Sequence, residues 1–142
     1  MVDVIVRRGS HASPLRYPGG KATLAGFFET TINALGLDKP TYVEPYAGGA
    51  GAGIELLLKG VVGMVVINDL DPAIHACWKA MVKDSDAFLR RLERTPLTID
   101  EWRSQREIYR HRHDADVDPF ALGFATFYLN RISRSGVLGA GV

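Results

Sequence analysis

The amino-acid sequence predicts an α/β fold in which a βαβ unit comes first and a helical segment follows. Two short β-prone runs, Thr41–Glu44 and Met64–Ile67, stand on either side of a glycine cluster and a helical pattern. The second run is continuously apolar, which is typical of a strand covered on both faces of a parallel sheet. After residue 70 the apolar residues recur at helical intervals instead.

The composition is that of one soluble globular domain. The 142 residues, 46% hydrophobic and 23% charged, suffice for a core and exclude the disordered and fibrous classes. The longest apolar run, residues 60–67, is far shorter than the roughly 20 residues of a membrane span, so we expect a cytoplasmic protein with no membrane partner. The net charge of +1 does not by itself indicate a nucleic-acid-binding protein. We interpret the single cysteine, Cys77, as a packed thiol, and we expect no metal site.

The N-terminal part of the chain divides into an arm, a loop and a helix. Residues 1–13 are polar and mixed, and we interpret them as a flexible N-terminal arm. A loop punctuated by proline and glycine, residues 13–21, leads into an amphipathic helix over residues 22–35. We expect residues 14–71 to form the α/β part and residues 72–142 the helical segment.

The βαβ unit is read from a strand, a glycine loop and a second strand. Thr41–Glu44 ends at Pro45 and leads into the glycine cluster of residues 48–53. A helical pattern resumes at Ile54 and ends at Gly60, just before the second strand.

Three capping residues begin helices in the second half of the chain. Asp71, followed by proline, caps a helix whose apolar face continues to Leu92. Thr98 begins a second helix with the spacing of a capping box. Asp118, again followed by proline, begins a third helix over residues 120–130, which is apolar nearly all round and therefore predicted to be buried.

The glycine cluster and the acid after the second strand point to a nucleoside-containing cofactor. A loop of small residues between a parallel strand and a helix lets a ligand approach the backbone closely. Asp69 follows the next strand about 20 residues later, where a carboxylate can accept hydrogen bonds from ribose hydroxyls. Two other interpretations stay open: the glycines permit tight strand–helix packing, or Asp69 is a helix cap or turn residue.

The spacing of the glycines argues against a dinucleotide-dependent oxidoreductase. Neither frame of residues 49–56 gives G-x-G-x-x-G, and residues 15–22 do not match a P-loop. Without a strong phosphate cradle, a cofactor that lacks phosphates is favoured.

Four motifs, taken in order, resemble those of the Dam-like (D12 class) DNA adenine-N6 methyltransferases. They are LRYPGGK at residues 15–21, VEPYAGGAG at 43–51, INDLD at 67–71 and FYLNR followed by SG at 127–136. The resemblance spans about residues 14–138 and covers the N-terminal portion of the family's domain. It implies a partial Rossmann-like S-adenosylmethionine-dependent methyltransferase fold, in which the helical segment is the family's target-recognition insertion.

The resemblance also implies a set of contacts, carried over residue by residue. The positions that would bind S-adenosylmethionine are Tyr17, Gly20, Lys21, Glu44, Tyr46, Gly48, Gly49, Gly51 and Asp69. An aromatic face suits a sulfonium cation or an adenine ring, and a lysine suits a carboxylate. The positions that would contact double-stranded DNA are Arg131, Arg134 and Ser135. The loop departs from the family's aromatic-x-Gly-x-Gly pattern, which leaves open which glycine touches the cofactor.

The family's catalytic motif, (D/N)PP(Y/F/W), is absent from this sequence, so no residue here is predicted to be catalytic. Only two convincing core strands occur, whereas a doubly wound sheet normally has about five or more. We therefore expect this part alone to be inactive. The missing strands and motif would come from a C-terminal half, in cis or as a second chain.

The leading interpretation is a site-specific methyltransferase that transfers a methyl group from S-adenosylmethionine to adenine N6 in DNA, of a cytoplasmic, nucleoid-associated type as in bacteria or phage. One alternative is a non-catalytic module that binds S-adenosylmethionine or DNA, and another is the N-terminal partner of a split methyltransferase. The arginines of residues 90–112 either contact phosphates or form an ion-paired helix surface.

Overall fold

The computed structural model describes residues 12–133, 136 and 138 of the chain. They fall into two compact units, one that ends at Asn68 and one that begins at Asp69. Among the described residues, the first unit holds both strands and the second is helical. No helix in this described part has the length and apolarity needed to cross a membrane.

The first unit is a βαβ unit preceded by helical turns. Its elements are a 3-10 helix (Lys21–Leu24), α1 (Ala25–Ala34), β1 (Thr41–Glu44), α2 (Gly51–Leu58) and β2 (Met64–Ile67). The strands pair in parallel, with Thr41 opposite Met64 and Glu44 opposite Ile67. Both predicted strands therefore form with the predicted bounds, and the mixed α/β class is confirmed.

The two faces of this small sheet differ in burial. On one face, Glu44 is 2% exposed and Tyr42 packs against Phe28 of α1 with a centroid distance of 5.5 Å. On the other face, Val43, Met64 and Val66 are 57%, 53% and 42% exposed. The sequence predicted β2 to be covered on both faces, and this was wrong for the described residues. The second face is exposed because α1 and α2 both pack on the face that carries Tyr42 and Glu44.

The described residues of the second unit form four α-helices. They are α3 (Pro72–Lys83), α4 (Ser85–Arg94), α5 (Ile99–Arg110) and α6 (Pro119–Ile132). The three predicted caps are confirmed, because the side chains of Asp71, Thr98 and Asp118 accept hydrogen bonds from backbone N–H groups in the first turns of α3, α5 and α6.

The continuous apolar face predicted from Asp71 to Leu92 belongs to two helices, not one. At Asp84 the backbone leaves the helical region, with φ −120° and ψ 35°, and α4 begins at the next residue, Ser85. The break allows Phe88 of α4 to pack edge-on against Phe124 and Phe127 of α6, at centroid distances of 5.5 and 5.2 Å. Aromatic pairs in this geometry stabilise a core beyond the area they bury.

The centre of the second unit is the close contact of α3 with α6. A Cβ atom at Gly123 would lie 2.3 Å from the carbonyl oxygen of Ala76, so only glycine allows this approach. Cys77, which follows Ala76 in α3, is fully buried, and this burial raises the pKa of its thiol to about 12. The interpretation of Cys77 as a packed thiol is confirmed, since such a thiol does not ionise near neutral pH.

A candidate cofactor-binding site around the glycine loop

The glycine loop connects β1 to α2 through two residues in the left-handed region. Gly48 has a φ of 49° and Ala50, which caps α2, a φ of 47°. The backbone N–H of Ala50 donates to the carbonyl of Ala47 at 2.6 Å, and that of Ala47 donates to the carbonyl of Asn68 at 2.9 Å. The loop is thereby held tightly against the end of β2.

Residues 13–22, which precede α1, pack directly onto this loop. A Cβ atom at Gly48 would lie 2.7 Å from the Tyr17 ring, and one at Gly51 would lie 2.8 Å from Cβ of Ala22. The hydroxyl of Ser13 donates to the carbonyl of Gly49 at 2.5 Å. The small residues of the loop therefore make room for the chain's own N-terminal segment, which brings two distant sequence motifs together.

An ion pair between a buried carboxylate and a partly exposed lysine lies at the centre of this arrangement. Nζ of Lys21 lies 3.2 Å from Oε1 of Glu44 and donates a hydrogen bond of 2.5 Å to the carbonyl of Tyr46. Oε2 of Glu44 accepts from the backbone N–H of Gly53 at 3.3 Å. Oε1 has this ion pair but accepts no hydrogen bond from any described group, although Glu44 is only 2% exposed. A buried carboxylate oxygen in this state is suited to a further donor.

Two aromatic rings flank the loop and remain accessible. Tyr17 is 45% exposed and Tyr46 is 72% exposed. Gly20 closes the turn after Tyr17, with its N–H donating to the Tyr17 carbonyl at 3.1 Å. The first unit thus brings together eight of the nine predicted cofactor residues, all except Asp69.

Asp69 is the first residue of the second unit, directly after the chain leaves Asn68. Its Oδ1 accepts a hydrogen bond of 3.0 Å from the N–H of Asp71. Asp69 therefore forms an Asx turn, in which an aspartate side chain accepts from the backbone N–H two residues later. Its predicted contact with a ribose stays a prediction.

The predicted DNA contacts are only partly within the described residues. Arg131 is exposed in the last turn of α6, whereas Arg134 and Ser135 lie outside the described residues. Asn130, next to Arg131 in α6, is 1% exposed and donates a hydrogen bond of 3.0 Å from Nδ2 to the carbonyl of Gly136. It thereby anchors Gly136 to the end of the helix. Asn130 belongs to the FYLNR motif, but the sequence predicted no role for it. A polar residue inside an apolar helix was the signal for such an anchor.

The arginines of residues 90–112 divide between ion pairs and aromatic contacts. Arg103 pairs with Asp100 and Arg110 with Glu107, each at 3.1 Å. The guanidinium groups of three others lie over aromatic rings: Arg91, Arg106 and Arg112. For Arg103 and Arg110, the structure therefore favours an ion-paired helix surface over phosphate contacts. Residues 12–133 contain no cluster of side chains suited to a metal ion.

His111 makes two carboxylate contacts at the end of α5, which predicts a pH-dependent stability. Nδ1 lies 2.7 Å from Asp114 and Nε2 lies 3.2 Å from Glu107, and the hydrogen bond with Asp114, then that with Glu107, raises the pKa of His111 above 6.5. Because the folded-state pKa is the higher one, the stabilisation is fully present below the unfolded value and is lost as the pH rises through the folded value.

We therefore expect the difference in unfolding free energy between wild type and His111→Gln to shrink as the pH rises from 6.5 through the higher pKa of the folded state. An NMR titration of the His111 ring should give a midpoint above 6.5. Asp114→Asn should lower that midpoint, and a wild-type midpoint at or below 6.5 would contradict the assignment.

A glycine loop that joins the strand and helix of a βαβ unit, covered by a lysine-bearing turn, has the geometry of a ligand site at the carboxyl edge of a parallel sheet. The chain belongs to the family described as D12 class N6 adenine-specific DNA methyltransferase, which matches residues 17–140. Methyltransferases of this family use S-adenosylmethionine and act on DNA.

The type II methyltransferase M.MjaIII of Methanocaldococcus jannaschii is a relative of this chain. The two are 24% identical over 133 residues, which cover 87% of this chain and 46% of the relative. The chain thus spans about half the length of the curated relative that it matches.

Proposed function

We propose that this chain supplies the cofactor-binding part of a DNA adenine-N6 methyltransferase, with S-adenosylmethionine bound at the glycine loop. The observation that carries this proposal is the convergence of residues 13–22 with the loop around the Lys21–Glu44 ion pair. Two motifs that are distant in sequence thereby meet at the carboxyl end of β1, where nucleoside cofactors bind in α/β folds.

The residues of this site fit the chemistry of the cofactor. The rings of Tyr17 and Tyr46 offer faces that attract a sulfonium cation or stack on an adenine. Oε1 of Glu44 is a buried acceptor for an ammonium group, and its neighbour Lys21 attracts a carboxylate. We propose that Asp69, the acid that follows β2, accepts hydrogen bonds from the ribose.

When bound, S-adenosylmethionine supplies a methyl group on a positively charged sulfur, and the residues named above hold and orient it. The acceptor, the exocyclic amine of an adenine in a duplex, must leave the base stack to reach such a site. The residues that would hold a flipped base, (D/N)PP(Y/F/W), do not occur in this sequence. We propose that another polypeptide segment, in cis or as a second chain, brings them.

The open face of the sheet supports a requirement for further protein. Val43, Met64 and Val66 form an exposed apolar surface on the two strands, and the continuously apolar sequence of β2 is typical of a strand covered on both faces. Among the described residues β1 pairs with β2 alone, which leaves its other edge for further strands of a Rossmann-like sheet. The helical unit would then serve as the target-recognition insertion of a cytoplasmic, nucleoid-associated enzyme.

Calorimetric titration of S-adenosylmethionine into this chain tests the proposal. We expect saturable binding to the wild type, and an affinity at least about tenfold weaker for Asp69→Ala, since a single hydrogen bond to a carboxylate contributes about 1.5–3 kcal/mol and a factor of ten corresponds to about 1.4 kcal/mol. Asp38→Ala, a change of the same type at an exposed site in the first unit, is the matched control. No binding to the wild type would refute the proposed site, and an unchanged affinity for Asp69→Ala would refute the role of Asp69.

A second measurement separates the enzyme from a non-catalytic module that binds S-adenosylmethionine or DNA. A polypeptide that carries the (D/N)PP(Y/F/W) motif and the remaining strands is added to this chain, and methyl transfer to adenine in duplex DNA is measured. We expect transfer only from the mixture. Cofactor binding without any transfer would favour the non-catalytic alternative.

A further inference from the structure

The second unit contains a half-open cavity of about 410 Å³ that is remote in sequence from the glycine loop. It lies between α3 and the connection from α5 to α6. Four of its lining side chains carry nitrogen donors: His75, Lys79, Arg112 and His113. Ala76 and Leu122 contribute apolar lining. Cavities of about 300–1,000 Å³ are of the size that ligands occupy.

The cations of this cavity are not neutralised by the described residues. Lys79 is exposed and forms no ion pair or hydrogen bond within residues 12–133. The guanidinium of Arg112 lies 4.7 Å from the centroid of the Tyr109 ring and donates to the Tyr109 carbonyl at 3.5 Å. Within residues 12–133, Arg112 forms no ion pair with an acidic residue. The acidic lining residue, Asp114, already pairs with His111 at 2.7 Å.

The chemistry of this lining suits a phosphate ester. Two cations without an acidic partner attract an anion, the N–H groups of two imidazoles can donate hydrogen bonds to its oxygens, and the apolar lining accommodates the carbon atoms attached to it. The cavity is too large for a phosphate alone, and its open mouth allows a chain to enter and leave. These features favour a phosphodiester within a polymer over a small enclosed ligand.

We propose that this cavity binds a backbone phosphate of the DNA on which the enzyme acts. The inference rests on the proposed function for the identity of the polymer, and it adds a DNA contact to those predicted at Arg131, Arg134 and Ser135. A phosphate contact of this kind positions the protein on the duplex and carries no sequence information of its own.

The salt dependence of duplex binding tests the proposal. In fluorescence anisotropy with a labelled duplex, we expect Lys79→Gln and Arg112→Gln each to weaken binding several-fold and to reduce the slope of log K against log salt by about 1. Lys83→Gln is the matched control, since Lys83 is exposed on the same helix but does not line the cavity. We expect the control to keep the wild-type slope, and unfolding curves to show that Lys79→Gln remains folded.

Three results would overturn the proposal: no binding of duplex by the wild type, unchanged slopes for both cavity variants, or an equal loss of slope for Lys83→Gln. Inorganic phosphate is the second probe. If it shifts the NMR signals of the His75 and His113 rings while duplex DNA does not, the site takes a free phosphate compound and the DNA assignment is wrong. Calorimetry with S-adenosylmethionine on the same variants should be unchanged, so a failed cofactor site is distinguishable from a failed DNA contact.

Discussion

Replacing Lys21 by methionine should both destabilise the first unit and abolish most of its affinity for S-adenosylmethionine. The change leaves the carboxylate of Glu44, 2% exposed, with the N–H of Gly53 as its remaining polar contact among the described groups. Removing one partner of a fully buried ion pair costs about 3–5 kcal/mol. The Lys21 side chain is 36% exposed, so water replaces part of it, and we expect a loss of about 1–3 kcal/mol in unfolding free energy.

The expected loss of cofactor affinity has a separate origin. Lys21 also donates to the carbonyl of Tyr46 and so ties residues 13–22 to the start of the loop. Without that tether, residues 13–22 are no longer fixed against the loop, so S-adenosylmethionine must order them when it binds, and this lowers its affinity. We expect an affinity about a hundredfold weaker, equivalent to about 2.7 kcal/mol, by calorimetry.

Lys59→Met is the matched control for this prediction. The Lys59 side chain is 35% exposed, close to the 36% of Lys21, but its partners Glu29 and Glu55 are 34% and 15% exposed. Ion pairs of this kind contribute about 1 kcal/mol or less. Equal losses of stability and affinity in the two variants would show that the burial of Glu44 has no special role.

The parts of the fold that depend on local chemistry were predictable from the sequence. Both strands and the three caps at Asp71, Thr98 and Asp118 form as predicted. A cap is a contact between neighbours in the chain, so the residues within one turn determine it. The break at Asp84 was missed because the apolar spacing continues across it, and this spacing does not reveal that Phe88, beyond the break, packs on Phe124 of α6.

The candidate site was predictable in its residues but not in its contacts. The sequence assigned Lys21 and Glu44 to the cofactor separately, whereas the structure shows that they also pair with each other. Periodicity carries no information on which loop residue meets which part of a distant segment. The exposure of one face of β2 could not be predicted from the local sequence pattern either, because the burial of a strand depends on which other elements pack against it.

Replacing Gly48 by alanine should reduce the affinity for S-adenosylmethionine by about ten- to a hundredfold. Two effects act on this variant. Gly48 has a φ of 49°, which costs a residue with a Cβ about 1–2 kcal/mol. The new Cβ would also lie 2.7, 2.8 and 3.0 Å from three atoms of the Tyr17 ring, so the ring must move away from the loop. Because Tyr17 is 45% exposed, it can move at little cost in stability, and the loss should appear in cofactor binding.

Gly60→Ala separates these two effects. Gly60 has a φ of 69° and nothing within 4 Å of a built Cβ, so its alanine variant has the backbone strain without the displaced ring. We expect both variants to lose about 1–2 kcal/mol of unfolding free energy, and only Gly48→Ala to lose affinity. If the affinity of Gly48→Ala equals that of wild type, the Tyr17 ring does not contribute to the cofactor site, and the contact between the two motifs serves packing alone.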